Sequence, residues 1–525
     1  MAALNIGTRL RAVVAFIETH PLRAILILGL ALRLLAAAFS PGYLMHDDHF
    51  LVIETGASWA VGEDYNNWLP ESQITNGIDD PKPHQANLAY PGLVSGYFRA
   101  CNAIGLVQPA AQMTLLRFLH GVFSLLVVML GYRIAFRLGG RKPAIWSGLA
   151  LAAFGLFPIL GVRQLVEVVC IPPLLWSAWT VLRTEPLRRS SSTWVIAGIG
   201  LGLATALRYQ CGIFGIGWVV ALFLHESSPW KALKNACILG ISALLTFSVG
   251  QLQDWWIWGE PFAQLQAYIR YNADNAGDYP QGFWHQYVWV VLGLLLPPFS
   301  MAWVFGTYKV WKKHALLVLP PVAFFAFHSY FPNRQERFIL PAVPFFVIAG
   351  SVGWAAFEAS SQFWNRNNRL RSILSGIGIS VSLLLGIGLC FIQPKQSRVD
   401  AMSLLYDQGD LENFLVVHTD GGAMPPQFYS GSWEHYWTSD LNTDEVNHRQ
   451  VMCHSSRYTF PNYIVFSGQQ HLGEGIERYK LAYPSMEFIG QVPPSKWDQL
   501  LANLNPINTT ERWMIYRIST DQACL

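Results

Sequence analysis

Charge is scarce in this sequence. Only 13% of its 525 residues are Asp, Glu, Lys or Arg, against about 25% in an ordinary soluble domain. With 52% hydrophobic residues and a mean hydropathy of +0.27, that shortage excludes a disordered chain and a typical cytosolic enzyme. It points to a polytopic membrane protein. A basic excess is also missing. Thirty-six Lys and Arg against 33 Asp and Glu give a formal net charge of +3, without the basic patch of a nucleic-acid binder. No nucleic-acid partner is expected. There is no CxxC or HExxH spacing, so no metal or other cofactor is expected. Internal repeats, low-complexity segments and the period-2 pattern of a membrane barrel are absent. The seven cysteines make no framework. Cys101, Cys170, Cys211, Cys237 and Cys390 lie in or beside apolar segments, as small hydrophobes do. Cys453 and Cys524 lie in the polar C-terminal part and pair if that part faces an oxidising space.

What is present is apolar and aromatic. Runs near bilayer length occur at 21–39, 113–136, 143–161, 166–183, 194–208, 210–225, 234–252, 286–306, 315–330, 338–357 and 372–392, about eleven helices. No small-x-small cleavage site precedes a mature domain, so 21–39 reads as a retained anchor. Basic residues mark every alternate short connection: Arg137, Arg141 and Lys142; Arg183, Arg188 and Arg189; Lys231 and Lys234; Lys309, Lys312 and Lys313; Arg366, Arg369 and Arg371. With Arg9, Arg11 and Arg23 at the start, the positive-inside rule puts the N-terminus in the cytoplasm. An odd number of spans then puts the C-terminus outside. Two of the outer loops are more than connectors. One, 40–112, is long and acidic, and its mildly apolar stretch 87–107 suits the membrane surface; the other, 253–285, is rich in Trp, Tyr, Asn and Gly. The tail 394–525 alternates polar turns with strand-like runs at Phe414–His418, Tyr463–Phe466 and Trp513–Ile518. It reads as a small α/β domain on the outer face.

Three clusters carry potential chemistry. His46-Asp47-Asp48-His49 begins just beyond the first run. Three readings fit it: a solvated loop start, metal ligation, or a general base taking a proton from an acceptor hydroxyl. On a helix, Glu54 shares a face with Asp47. Arg163 and Glu167 are four apart, which on a helix makes either a self-neutralising pair or the wall of an aqueous cavity facing a donor phosphate. Arg208 falls at the end of a run, where an arginine can snorkel. Arg117 and His120, three apart within an apolar run, are expected to face the bundle interior. The third cluster runs from His328 to Pro341 and packs Arg334, Glu336 and Arg337 between two apolar runs on the outer side. Guanidinium groups there either clamp a phosphate or pair with Glu336.

Together these clusters resemble a known family. Asp47-Asp48-His49-Phe50 with Glu54 resembles the PDE-H-F…E motif of the Alg9-like mannosyltransferases, glycosyltransferase family 22 of the GT-C superfamily. Arg163 to Glu167 resembles its R…E element. Asp254, Trp258-Gly259, Phe262, Tyr271-Asn272, Tyr279, Trp284-His285 and Tyr287 are similar to its aromatic loop. His328, Gln335-Glu336-Arg337-Phe338, Pro341 and Pro344 are similar to its H-K-E-x-R-F…P…P motif. His46 replaces the proline of the first motif, and Gln335 replaces the lysine of the last, several residues beyond His328.

The resemblance implies a polytopic α-helical membrane protein of GT-C type. Residues 1–393 would form the catalytic membrane domain and 394–525 the periplasmic or lumenal α/β domain. It implies inverting transfer of mannose, or a related hexose, from a polyprenyl-phosphate-linked donor to a glycan or glycolipid acceptor. The membrane would be a bacterial inner membrane with the site facing the periplasm, or the endoplasmic reticulum with the site facing the lumen. By the same resemblance Asp47 is the general base and Asp48 its neighbour. Glu54, Tyr271 and Trp284 lie on the acceptor side. Arg334, Arg337, His328 and Arg163 approach the donor phosphate. Such an enzyme needs no metal, because a phosphate leaves without protonation. Two other classes compete: a transporter or flippase of lipid-linked sugars, which would tend to show repeats, and a non-catalytic membrane-assembly subunit.

Overall fold

In lipid, backbone polar groups have only each other as partners, so long apolar runs become helices. The structure, a computed structural model, describes residues 11–12, 14–278, 282–505 and 510–519, and a helix stands over each of the eleven runs. Six are long and apolar enough to cross a membrane among the described residues: Pro21–Phe39, Pro109–Gly139, Val166–Arg183, Pro229–Trp258, Glu336–Ser360 and Asn368–Leu389. A seventh is added if Gln286–Leu294 and Phe299–Val310, bent by 116°, count as one span. Their break contains Pro297-Pro298, where proline removes the N–H donors. Ser191–Leu207, Tyr209–His225 and Ala315–Tyr330 are apolar but shorter. At ~1.5 Å per residue such helices reach roughly 25 Å, short of a hydrocarbon core of about 30 Å. Length alone therefore gives fewer spans than the eleven expected.

The described chain divides into two compact units: residues up to 38, 68–90 and 117–391 form one, and 39–67, 91–116 and 392 onward form the other. The sequence places the boundary at 393/394 and leaves 40–112 with the membrane domain. Instead, 39–67 and 91–116 belong with the tail, because they bond and pack with it. Glu54 accepts from the Phe428 N–H, and the Phe98 and Phe428 rings lie 5.1 Å apart.

In the first unit the core runs from Ile25 to Cys390. Arg33 survives inside an apolar helix because its guanidinium is satisfied there. It donates to Ser124 Oγ (2.6 Å) and to the carbonyls of Gly29 (3.1 Å), Ala152 (3.1 Å) and Leu151 (3.2 Å). Arg117 is buried, and His120 Nε2 lies 2.9 Å from the Tyr90 hydroxyl, so both turn inward as expected. Phe299–Val310 and Glu336–Ser360 approach backbone to backbone at Gly306 and Gly353, where a Cβ on Gly353 would overlap the Gly306 carbonyl.

In the second unit the tail is a five-stranded sheet. Its strands are β1 (Phe414–His418), β2 (Trp437–Asp440), β3 (Tyr463–Gly468), β4 (Glu487–Val492) and β5 (Arg512–Arg517), ordered β2-β1-β3-β5-β4. β1 is parallel to β2 and β3; β5 is antiparallel to β3 and β4. The three strand-like runs read from the sequence are β1, β3 and β5. Helix Leu472–Ala482 buries Ile476 and Tyr479 with Leu415, Ile464 and Phe466 of the sheet. Cys453 is disulfide-bonded; the expected pairing with Cys524 lies outside the described residues.

Candidate active site

The first acidic cluster lies on helix in the second unit, not on an open loop. Helix His46–His49 begins where Asp48 accepts from the Met45 N–H (3.1 Å) and the Leu44 N–H (3.3 Å), donors that a helix start leaves unsatisfied. Asp48 is thus buried and committed to the helix terminus. Asp47, beside it, is half-buried. The helix then passes through a π-turn at Phe50–Glu54, continues as Thr55–Val61 and ends on Gly62 at φ 92°. Glu54, expected on the acceptor side, is turned into the interior of this unit. It is 0% exposed, its Oε1 lies 2.8 Å from His49 Nε2, and both its oxygens accept from the Phe428 N–H (3.1 and 2.9 Å). Burial pushes the nearby Tyr43 hydroxyl up and, with the Glu54 charge, pushes Tyr436 up to about 12. Neither phenol serves as a base near neutrality.

In the first unit the structure gathers charges from three distant stretches. Glu167 Oε1 lies 3.1 Å from an Arg208 nitrogen and 4.0 Å from one of Arg337. All three residues are at most 8% exposed. Arg208 sits over the Phe338 ring at 5.3 Å and Arg337 over the same ring at 5.4 Å. Gln335 Oε1 accepts from Arg337 Nε (2.9 Å) and Nη2 (2.7 Å), and the Gln335 carbonyl accepts from the Tyr287 hydroxyl (3.1 Å). Of the two readings of Arg163 and Glu167, the helical pair does not form. Helix Phe157–Leu160 ends before Arg163, Leu165 is extended, and a new helix starts at Val166. Four-residue spacing aligns side chains only where the backbone is helical. Nor does Glu336 pair with an arginine among the described residues.

The other expected residues are more dispersed. Arg163 is buried. Arg334 donates from Nε to the Ser329 carbonyl (3.1 Å) and from Nη1 to the Gly282 carbonyl. His328 is buried and its Nδ1 lies 2.8 Å from the Phe324 carbonyl. That contact puts the proton on Nδ1 and leaves Nε2 an acceptor, better suited to a hydroxyl than to a phosphate oxygen. Tyr271 is half-buried on helix Ala263–Asp274, and Trp284 is 71% exposed.

Arg208 is the residue the sequence undervalues. It does not snorkel; it is 4% exposed and paired. Its Nε donates to Gln210 Oε1 (3.3 Å), and Gln210 bonds the Tyr268 hydroxyl. The available signal was the polar break Arg208-Tyr209-Gln210 between two apolar runs. Among the described residues, no group of three or more His, Cys, Asp or Glu side chains is placed to hold a metal ion.

A family model described as the Alg9-like mannosyltransferase family matches residues 24–413. The mannosyltransferase APTG1 of Arabidopsis thaliana is 23% identical over 352 residues, which is 64% of this chain and 60% of that protein. The chain therefore spans less than two thirds of that relative's length. Among solved structures, ArnT from Cupriavidus metallidurans bound to undecaprenyl phosphate aligns with a TM-score of 0.61 at 13% identity, covering 94% of this chain and 97% of that one. ArnT in the apo state aligns at 0.53 and 12% identity, covering 95% and 98%. The likeness to ArnT is one of fold, and that fold is the expected GT-C type. Because the family match runs over most of the sequence, from the first apolar helix to the start of the tail, the chain belongs to the Alg9-like mannosyltransferase family.

Proposed function

We propose that the protein is an inverting membrane glycosyltransferase. It moves mannose, or a related hexose, from a polyprenyl-phosphate-linked donor to a glycan or glycolipid acceptor on the periplasmic or lumenal side. The acceptor hydroxyl attacks the anomeric carbon, and the bond from that carbon to the phosphate oxygen breaks. The hydroxyl proton passes to Asp47, and the polyprenyl phosphate leaves as an anion. Arg208 and Arg337 hold the donor phosphate, with Arg163 and Arg334 contributing positive charge. Preorganised guanidiniums stabilise the negative charge that grows on the leaving phosphate. Tyr271 and Trp284 offer rings on which the acceptor stacks. His328 accepts from a sugar hydroxyl.

The observation that carries this reading is the meeting of Arg208 and Arg337 at one buried carboxylate oxygen, a pair of planar forks suited to bidentate phosphate binding. Family membership supports the sugar, and the lipid phosphate named with ArnT supports the carrier class. Membranes carrying wild type or Asp47→Asn would be given radiolabelled polyprenyl-phosphate mannose and candidate acceptors. Transfer is expected with wild type and lost by roughly 100-fold or more in Asp47→Asn. Full transfer by the variant would sink the base assignment. No transfer by either, across several donors and acceptors, would sink the enzyme reading.

A further inference from the structure

The segment from Tyr43 to Glu54 contains a device that base chemistry at Asp47 does not itself require. His49 and Glu54 are five residues apart. In an α-helix that spacing puts side chains about 140° apart around the axis. Here they touch at 2.8 Å because the chain takes a π-turn at Phe50–Glu54. Such turns are rare and need outside support. The Phe50 carbonyl finds one partner in Asn66 Nδ2, at 2.9 Å. The His49 ring stacks on Tyr43 (centroids 4.8 Å apart, 19° between planes) and on Tyr429 (5.6 Å, 9°). Glu54 then takes the Phe428 N–H on both oxygens, from the short turn Gln427–Ser430 of the tail. Asp47 lies two residues before His49, on the same short helix.

We infer that Glu54 is a positioning residue: through His49 and the Phe428 N–H it fixes the helix bearing Asp47 to the C-terminal domain, which thereby takes part in catalysis. This rests on the reading of Asp47 as base. The carboxylate is chemically suited to the task. A buried carboxyl group held by the His49 ring and by one backbone N–H on both its oxygens is costly to leave half-satisfied, so the His49 ring and the 427–430 turn are held together, and the register of Asp47 follows. A base displaced by about an ångström loses much of its rate.

The test uses the full-length protein in detergent. Variants are Glu54→Gln, His49→Ala, His49→Gln (whose Nε2 replaces the ring donor) and Ser439→Ala. The last removes a buried bond to Tyr479 within the tail and controls for loss of stability alone. Transfer kinetics and hydrogen exchange over 44–61 and 425–431 are measured. Glu54→Gln and His49→Ala are expected to lower kcat roughly 10- to 100-fold with donor KM little changed. Both should speed exchange in both stretches. His49→Gln should recover most of kcat. Unchanged kcat in Glu54→Gln, or a fall no larger than in Ser439→Ala at equal loss of Tm, would overturn the positioning role. If wild type transfers no sugar, the functional reading fails and the catalytic part of this inference with it. The exchange data still decide the coupling: faster exchange at 425–431 in Glu54→Gln supports it, and unchanged exchange overturns it.

Discussion

A lysine and an arginine carry the same charge, but only the guanidinium is a planar fork that also stacks on a ring. Arg208 and Arg337 use both properties against Glu167 and Phe338. Arg208→Lys is therefore expected to raise the donor KM by about tenfold or more, the scale of one charge-assisted hydrogen bond. Arg334→Lys should change it less, since that fork is occupied by the Ser329 and Gly282 carbonyls. Initial rates over a donor series decide this, and equal effects of the two would remove the distinction. At this scale sequence reading had uneven reach. Asp47 and Arg337 stand out because charge in a mostly apolar chain is conspicuous. Arg208 reads from the sequence as a snorkelling arginine because its partner Glu167 is far away in the chain, and only folding shows which carboxylate a guanidinium meets. Arg163 and Glu167 misled for the opposite reason: their spacing is helical and the backbone between them is not.

Helices were the most legible elements, since an apolar run of bilayer length has few other folds open to it. Their interruptions were less so. The π-turn at Phe50–Glu54 leaves no composition signal, because it is stabilised by groups from elsewhere in the chain, Asn66 and Phe428 among them. Close crossings are likewise set by pairs of residues distant in sequence. At the Gly306–Gly353 approach, Gly353→Val would force a side chain into a carbonyl of the neighbouring helix. It is expected to cost about 1–3 kcal/mol, seen as a lower Tm in detergent. Gly376→Val, where a Cβ would meet nothing within 4 Å, should leave Tm nearly unchanged. A comparable fall in both would show that the crossing is no tighter than a lipid-facing surface.

For the molecule as a whole, the sequence reads as two parts divided at one point, while the two compact units interleave along the chain. Composition changes at 393/394, whereas 39–67 and 91–116 join the tail through individual bonds that composition does not record. Three histidines of the tail give it a pH response. Burial lowers the proton affinity of His418, His435 and His448. Below an unfolded pKa of about 6.5 the unfolded tail therefore binds more protons than the folded one. Stability is full above that value and is lost as pH falls through it toward the lowered folded values. Hydrogen exchange over β1 and β3 should thus quicken between about pH 7.5 and about pH 5. Exchange that slows, after correction for its intrinsic pH dependence, would refute this.

One contact also sets an order in time. Phe428, whose N–H Glu54 accepts, lies 374 positions further on, and every apolar helix after Pro21–Phe39 is translated between the two. While the ribosome is still making those helices, the Asp47 segment has no Phe428 to dock against. A nascent or truncated chain would thus carry Asp47 beside a turn that lacks this partner, and a segment made late would brace one made early.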